Sequence, residues 1–314
     1  MNIQLHPRIA QPFRPQDYIL HEALKNAVEV AIALGQPLLL TGEPGTGKTK
    51  LAQKVALDLS QLPGSNFAAK PLIFNTKTTS AARDLFYTYD ALSHFQAANV
   101  KHTEGQKELH TADFIELQAL GKAIAFTNPG AVDGSKFDTP LPDKPQSSVV
   151  LIDEIDKAPR DFTNDILDEI ENFRFSIKEQ DNYLIEKSED YNIVVIMTSN
   201  SEKNLPDPFL RRCVFYHIPF PSDELLREIV KTQLGHSTQF TEQMLEMLIE
   251  KFNAVRKRSV RKAPATAELI AWLRILEVQH FMEASEVKQR QQMLDNLSIL
   301  VKTREDMEAV KGVF

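Results

Sequence analysis

One octet near the start of the chain constrains its fold more than any other feature: Gly42-Glu43-Pro44-Gly45-Thr46-Gly47-Lys48-Thr49. A glycine-rich turn of this kind directs successive backbone N–H groups inward, and it forms an anion-binding site at the N-terminus of a helix. In such a loop the lysine reaches the terminal phosphates of a nucleotide, and the hydroxyl after it is a Mg²⁺ ligand. The octet therefore predicts a phosphate-binding loop in which Lys48 and Thr49 have these roles.

The residues on both sides of the octet fit this prediction. Leu38-Leu39-Leu40 is a short apolar run bounded by Pro37, which is typical of a buried strand. After the octet, apolar residues recur with helical spacing at Leu51, Val55, Ala56 and Leu59. The order strand, glycine-rich loop, helix is the setting that phosphate binding requires.

Further apolar runs alternate with helical patterns over the first two thirds of the chain. We predict three more strands, at Pro71–Asn75, Ser148–Asp153 and Asn192–Met197. Helical stripes extend from Leu20 to Leu34 and follow Pro159. This alternation predicts an α/β fold with a parallel sheet.

Strand signals fade after Pro219-Phe220-Pro221, and helical patterns dominate the rest of the chain. Ser222 is a predicted N-cap of a helix that ends at Gly235. We therefore expect a nucleotide-binding domain over 1–220 and a smaller α-helical domain over 221–314. The stretch from Thr76 to Lys144 is too long for a simple connection, so we expect added structure within it.

Composition restricts the class of protein more weakly. A net charge of −7 and a pI near 5.7 disfavour a surface built throughout to attract nucleic acid, but they permit a local basic channel. The single cysteine, Cys213, excludes an intramolecular disulfide, and we interpret it as a small buried hydrophobe. We recognise no signal peptide and no apolar stretch long enough to span a bilayer, so we expect a cytoplasmic protein with no membrane partner.

Two carboxylates, Asp153 and Glu154, come at the end of the third predicted strand. Ligands meet a parallel sheet at the carboxyl ends of its strands. We predict that Asp153 holds Mg²⁺, often through water, and that Glu154 orients and deprotonates the water that attacks the γ-phosphate. Asn200, after the fourth strand, is placed to hydrogen-bond the γ-phosphate or that water, and an Asx-turn is the local alternative.

Two groups of basic residues leave their roles open. Arg211 and Arg212 follow a short predicted helix, and they are either solvated or include an arginine finger for a neighbouring subunit's nucleotide. Such a finger requires a ring. The cluster Arg256-Lys257-Arg258, followed by Arg261 and Lys262, either complements the carbonyl end of a helix or contacts nucleotide or nucleic acid.

Four motifs in this order resemble those of AAA+ ATPases. They are the phosphate loop, Leu151-Ile152-Asp153-Glu154, Thr198-Ser199-Asn200 and Phe209-Leu210-Arg211-Arg212-Cys213. The octet with its apolar approach, together with Arg83-Asp84-Leu85-Phe86-Tyr87-Thr88-Tyr89-Asp90-Ala91-Leu92, most resembles the MoxR group. The resemblance covers roughly residues 15 to 280.

The resemblance implies an αβα sandwich P-loop domain with a parallel sheet and a helical lid, with ATP bound between them and hydrolysed in a ring, commonly a hexamer. It implies that Asn75 is the polar switch residue that restrains Glu154, and that Arg212 rather than Arg211 is the finger. It also implies an insertion in the second helix over 76–125 and a hairpin over 175–187, both facing the pore or a partner. The best-matched position for a second-sensor arginine, 265–268, has none, and Arg261 and Lys262 are the alternatives.

We therefore expect an ATP hydrolase that uses ATP and Mg²⁺ and works as a homo-oligomeric ring. The leading hypothesis is a chaperone-like remodeller of a partner protein, often one with a von Willebrand A domain in this group. The alternative is a nucleic-acid-dependent motor subunit of a restriction or defence system, since the clade resembles the methylcytosine-specific restriction GTPase and the minichromosome maintenance helicases. A non-hydrolysing scaffold is a third hypothesis, which Glu154 and Asn200 disfavour. The residues leave open the partner, the ring size and the choice between ATP and GTP.

Overall fold

The computed structural model describes residues 13–99, 110–200, 205–235 and 238–314. Within these ranges, no helix is both long enough and apolar enough to cross a membrane. The predicted insertion over 76–125 lies only partly in the described chain, because 100–109 fall outside it.

The described residues form two compact units. The first, here called the sheet unit, contains Leu20–Thr41 and Lys48–His217. The second, here called the helical unit, contains Ile218–Phe314, the loop Gly42–Gly47 and the segment that ends at Ile19. The division therefore assigns most of the octet to the helical unit, while Lys48 and Thr49 belong to the sheet unit.

The elements that build the sheet unit alternate between helices and strands. In chain order they are α1 (Glu22–Leu34), β1 (Leu38–Gly42), α2 (Lys48–Ser60), β2 (Leu72–Asn75), β3 (Tyr87–Tyr89), α3 (Ala91–Asn99), β4 (Ile115–Leu117), α4 (Ala119–Thr127), β5 (Ser148–Asp153), α5 (Arg160–Asn172), β6 (Arg174–Ile177), β7 (Tyr183–Glu186), β8 (Ile193–Thr198), α6 (Asp207–Leu210) and β9 (Val214–Ile218).

A five-stranded sheet in the order β2-β5-β8-β1-β9 forms the centre of this unit. The pairs β2–β5, β5–β8 and β8–β1 are parallel. Helix α2 packs on β5 and β8, and α4 packs on β2 and β5. The predicted α/β fold, a parallel sheet flanked by helices, is confirmed. Central strands such as β5 are buried almost throughout, which explains their continuous apolar sequences.

Three details of the sheet unit were not predicted from the sequence. Strand β9 was not predicted, because at the sheet edge half-buried residues alternate with exposed ones and no continuous apolar run forms. Strand β2 is the opposite edge, and Ile73 is correspondingly exposed. Leu34, predicted to lie on the apolar stripe of α1, is also exposed because it is the last residue before Gly35, which ends the helix in a left-handed conformation.

Two antiparallel strand pairs accompany the sheet. Strands β6 and β7 pair from Arg174 opposite Glu186 to Ile177 opposite Tyr183, and this hairpin begins one residue before the range 175–187 that the resemblance implies. Strands β3 and β4 form the other pair. Along the chain they come between β2 and β5. Cys213 packs against the core of this unit, and burial raises the pKa of its thiol to about 12. Cys213 is half-buried rather than fully buried as predicted, although its side chain does pack on apolar residues.

The helical unit is built on α7 (Asp223–Leu234), α8 (Glu242–Arg258), α9 (Thr266–Val278), α10 (Glu286–Asp295), α11 (Leu297–Leu300) and α12 (Arg304–Val310). Helix α7 begins as predicted, since the Ser222 hydroxyl accepts a hydrogen bond from the Leu225 N–H at 3.3 Å. The core of the unit includes Phe252, Trp272 and Phe281, each with no exposed surface.

Asp306, a fully buried carboxylate on α12, organises the connection between α8 and α9. It accepts backbone N–H hydrogen bonds from Val260, Arg261 and Lys262 at 2.6, 2.8 and 3.1 Å. The Thr303 hydroxyl donates a fourth hydrogen bond at 2.8 Å. The backbone hydrogen bond from Arg261 is the main cause that lowers the pKa of Asp306 to about 2.

We predict that Asp306→Asn lowers the melting temperature by roughly 5 °C, because an amide nitrogen cannot accept these hydrogen bonds. The pKa of an unfolded aspartate is about 3.9, above the folded value, so the wild-type carboxylate stabilises the fold above about pH 4. That contribution is lost as the pH falls towards 2. Thermal unfolding of both proteins from pH 7 to pH 2 measures this, and the difference in melting temperature should shrink in acid. A constant difference across this range would contradict the assignment.

Candidate functional site

The glycine-rich loop leaves β1 and enters α2, which begins at Lys48. Gly45 and Gly47 have φ values of +81° and +90°, in the left-handed region that favours glycine. Both the backbone N–H and the hydroxyl of Thr46 donate hydrogen bonds to the Glu43 carbonyl oxygen, at 3.4 and 2.9 Å. The loop therefore closes on itself in a tight turn at the N-terminus of a helix, the geometry expected of an anion-binding loop.

The first two residues of α2 carry the side chains predicted to bind phosphate and metal. Lys48 is only 7% exposed, so this charged residue is buried. The Thr49 hydroxyl donates to the two oxygens of Asp153 at 3.0 and 3.2 Å. The structure thus brings together the two predicted Mg²⁺ ligands, which the sequence separates by about a hundred residues.

The carboxyl ends of β5 and β8 position the two carboxylates. Ile152 lies opposite Met197 in the parallel register, which places Asp153 beside Thr198. The Thr198 hydroxyl donates to Asp153 Oδ1 at 2.5 Å and accepts the Glu154 N–H at 2.9 Å. One hydroxyl on the neighbouring strand therefore orients Asp153 and anchors the backbone of Glu154.

Glu154 has an unusual backbone conformation, with φ +56° and ψ +49°. Such a left-handed conformation costs free energy in a residue other than glycine and occurs often at functional sites. Its side chain is 40% exposed. Asn200 Nδ2 donates to Oε1 at 3.3 Å, and Lys157 pairs with Oε2. A water-accessible carboxylate with an amide beside it is an arrangement that can accept a proton from water.

The Lys157 ammonium is a neighbour of Glu154 that was not predicted from the sequence. The hydrogen bond to Glu154 is the main cause that raises the pKa of Lys157. The lysine is three residues beyond the glutamate, a spacing that pairs charges within one helical turn and was the available signal. Thr198 was also missed as an orienting residue, although its place at the end of the fourth predicted strand indicated proximity to Asp153.

Three predicted catalytic residues do not join this cluster. Asn75 lies opposite Asp153 in the register of β2 and β5, but it is exposed and makes no hydrogen bond to Glu154 in the described chain. Arg211 and Arg212 follow α6 and are both exposed. Among the described residues, neither arginine side chain has an ion-pair partner.

The basic cluster at the end of α8 does not act as one group. Arg256 donates to Glu43 Oε2 at 2.5 Å, within the helical unit, while Lys257 and Arg258 are exposed. Arg261 pairs with Glu305 at 2.7 Å. The contact between Arg256 and the loop could not be predicted from the sequence, because more than two hundred residues separate the partners.

The oxygen ligands at the strand edge fit a small divalent cation. Mg²⁺ prefers oxygen ligands, and it is usually bound through one or two protein groups together with substrate phosphates and water. Asp153 and Thr49 supply such groups. No set of three or more His, Cys, Asp or Glu side chains in the described ranges could hold a metal by itself. A cation at Asp153 would therefore depend on phosphate oxygens for much of its coordination.

Comparison with known families adds to this geometry. The family model described as AAA domain (dynein-related subfamily) matches residues 37–213, more than half of the chain. The matched range includes the glycine-rich loop, both carboxylates, Asn200 and the two arginines.

Individual relatives are more distant. A Lon protease from Malacoplasma penetrans (strain HF-2) is 25% identical over 257 residues, which are 76% of this chain and 26% of that protein. The chain thus spans about a quarter of the length of that curated relative. Domain III of the replication initiation protein DnaA from Thermotoga maritima aligns with a TM-score of 0.48 and 14% identity, covering 92% of this chain and 97% of that one. A structure from a study of katanin self-assembly has a TM-score of 0.42 and 13% identity, covering 94% and 82%.

Proposed function

Because this chain belongs to the dynein-related subfamily of AAA domains and is an ATP-hydrolysing P-loop ATPase, we propose that it works as a ring-shaped, MoxR-like remodeller of a partner protein. The observation that carries a hydrolytic role is the contact of Glu154 with Asn200, next to the Thr49–Asp153 pair. A scaffold that only bound nucleotide would have no need for a water-accessible carboxylate there. The partner we expect is a protein, as in the MoxR group, in which von Willebrand A domains are frequent.

In the proposed reaction the residues divide the work. Lys48 and the loop N–H groups bind the phosphates of ATP, and Thr49 and Asp153 hold Mg²⁺. The metal ion, when bound, neutralises charge on the phosphate oxygens. Glu154 accepts a proton from water while the water oxygen bonds to the γ-phosphorus and the bond to the β–γ bridging oxygen breaks. Asn200 holds the Glu154 carboxylate towards that water.

The exposure of Arg211 and Arg212 is consistent with a role at the contact between two subunits. An arginine near the transferred phosphate stabilises the additional negative charge of the transition state. Arg211 and Arg212 have no ion-pair partner in the described chain, so either is available to a nucleotide on a neighbouring subunit. We propose a homo-oligomeric ring, with a hexamer as the expected size and Arg212 as the finger. We also propose Asn75 as the residue that restrains Glu154 when nucleotide is bound.

The experiment that tests this function is steady-state ATP hydrolysis per protomer, measured against protein concentration. A ring whose subunits complete each other's sites should show a rate that rises cooperatively with concentration, and Lys48→Ala should show no turnover at any concentration. Lys54→Ala is the matched control, because Lys54 lies on the same helix and pairs with Asp58, an i,i+4 contact further along the helix from the loop. A rate independent of concentration would contradict the ring. Stimulation by DNA that falls steeply with salt, rather than by protein, would favour the nucleic-acid motor.

A further inference from the structure

Arg256 at the end of α8 is held on three sides within the helical unit. Its Nη2 donates to Glu43 Oε2 at 2.5 Å, and its Nη1 donates to the Pro264 carbonyl oxygen at 2.7 Å. The guanidinium carbon lies 3.6 Å from the centroid of the Phe220 ring. Only 17% of the side chain is exposed. The guanidinium therefore has a fixed orientation, unlike the solvated arginine expected at an exposed helix end.

The negative charge of Glu43 lies in the loop that is proposed to bind phosphate, so its contact with Arg256 affects how the loop binds an anion. Glu43 is the second residue of the loop that binds phosphate, and a carboxylate there repels the polyanion that the loop must accept. The Arg256 guanidinium neutralises this charge through a short, charge-assisted hydrogen bond. The ion pair thus removes an electrostatic obstacle to nucleotide binding.

The residues next to Pro264 also contact the loop. A Cβ atom at position 45 would lie 2.8 Å from the Ala265 Cβ atom, so the backbone at Gly45 packs directly on the residue that follows Pro264. Arg256 binds the Pro264 carbonyl on one side and Glu43 on the other. The arginine therefore ties the loop to the segment that precedes α9.

We propose that Arg256 is a positioning residue for nucleotide binding, which acts by neutralising and holding Glu43 of the phosphate loop. This inference rests on the proposed role of the octet as the nucleotide phosphate site. Its consequence is that nucleotide affinity depends on an arginine of the helical unit that need not touch the nucleotide. Loss of Arg256 is therefore expected to change nucleotide affinity and not the rate of the chemical step.

The test is equilibrium titration of the full chain with mant-ADP and Mg²⁺, monitored by fluorescence. Arg256→Met should weaken binding roughly tenfold, because it removes the guanidinium charge that offsets the Glu43 carboxylate beside the phosphates. The double variant Glu43→Gln/Arg256→Met should restore affinity to within about threefold of the wild type, since it removes the repelling charge as well. Glu43→Gln alone should bind at least as tightly as the wild type. The control is Arg227→Met, which breaks another ion pair of the helical unit, that with Glu246 at 2.8 Å, and should not change affinity.

Several outcomes would overturn the inference. An Arg256→Met defect that Glu43→Gln does not rescue would indicate a merely structural role, and weaker binding by Glu43→Gln alone would contradict the electrostatic argument even if Arg256→Met does not fold. Lys48→Ala tests separately whether the octet is the phosphate site and whether Arg256 supports binding there. If that variant binds mant-ADP normally, the proposed phosphate site itself is wrong. If it does not bind, and Arg256→Met binds like the wild type, only the role of Arg256 is wrong.

Discussion

Glu154→Gln is expected to bind ATP as tightly as the wild type and to hydrolyse it at least ~100-fold more slowly. The amide has nearly the same shape as the carboxylate, and it can still contact Asn200, whose Nδ2 lies 3.3 Å from Oε1. It has no basic oxygen that could take a proton from water. Binding of a fluorescent ATP analogue and the single-turnover rate of hydrolysis, measured on the same preparation, separate the two effects.

Glu189→Gln is the matched control, since it neutralises an exposed carboxylate of the same unit. It should leave both quantities unchanged. Loss of ATP binding by Glu154→Gln would refute its assignment as the base, because a base is required only when the γ-phosphate is attacked. Retention of full turnover would be equally decisive against it.

Arg212→Ala is expected to reduce hydrolysis by about 10³-fold or more while leaving nucleotide binding intact, as for other arginines that act on the transferred phosphate. The side chain is exposed and has no ion-pair partner in the described part of the chain. Its removal should therefore not destabilise the protomer. The loss appears only if the guanidinium meets the nucleotide of a neighbouring subunit, and so the informative measurement is hydrolysis by mixed rings.

Arg212→Ala and Glu154→Gln protomers should complement each other when mixed, because a site made by an intact Glu154 and an intact Arg212 forms at some interfaces. Each variant alone should remain inactive. Arg211→Ala is the control, an adjacent and equally exposed arginine that we expect to keep most of the activity. Absence of complementation would reject the assignment of Arg212 as the finger. If Arg211→Ala is inactive alone and complements Glu154→Gln protomers, whereas Arg212→Ala does not, Arg211 is the finger.

The central part of the fold could be predicted because strands buried on both faces have continuous apolar sequences. Strands β5 and β8 are covered by helices and read as continuous apolar runs, so their limits were predicted to within one residue. Strand β9 has no such apolar run, because this edge strand alternates half-buried and exposed residues and carries His217. The exposed end of α1 at Leu34 was misjudged because periodicity alone does not reveal where the covering layer stops.

The parts of the candidate site that could be predicted are the side chains whose positions follow from the order of the parallel strands. Asp153, Glu154 and Asn200 meet because neighbouring parallel strands bring their carboxyl ends to one edge. Contacts that depend on side-chain reach across the chain were not predictable. The pairing of Arg256 with Glu43 is the main example. The cluster at 256–258 was expected either to complement a helix end or to contact nucleotide or nucleic acid, whereas Arg256 pairs with a carboxylate of the loop.

The environment of Cys213 has a practical consequence. With its pKa raised to about 12 by burial, the thiol stays protonated under ordinary buffer conditions, and thiolate is the form that reacts with maleimides. Because it is the single cysteine of the chain, a cysteine introduced at an exposed position would be labelled selectively without first replacing the native one. Donor and acceptor dyes on different protomers could then follow subunit exchange directly.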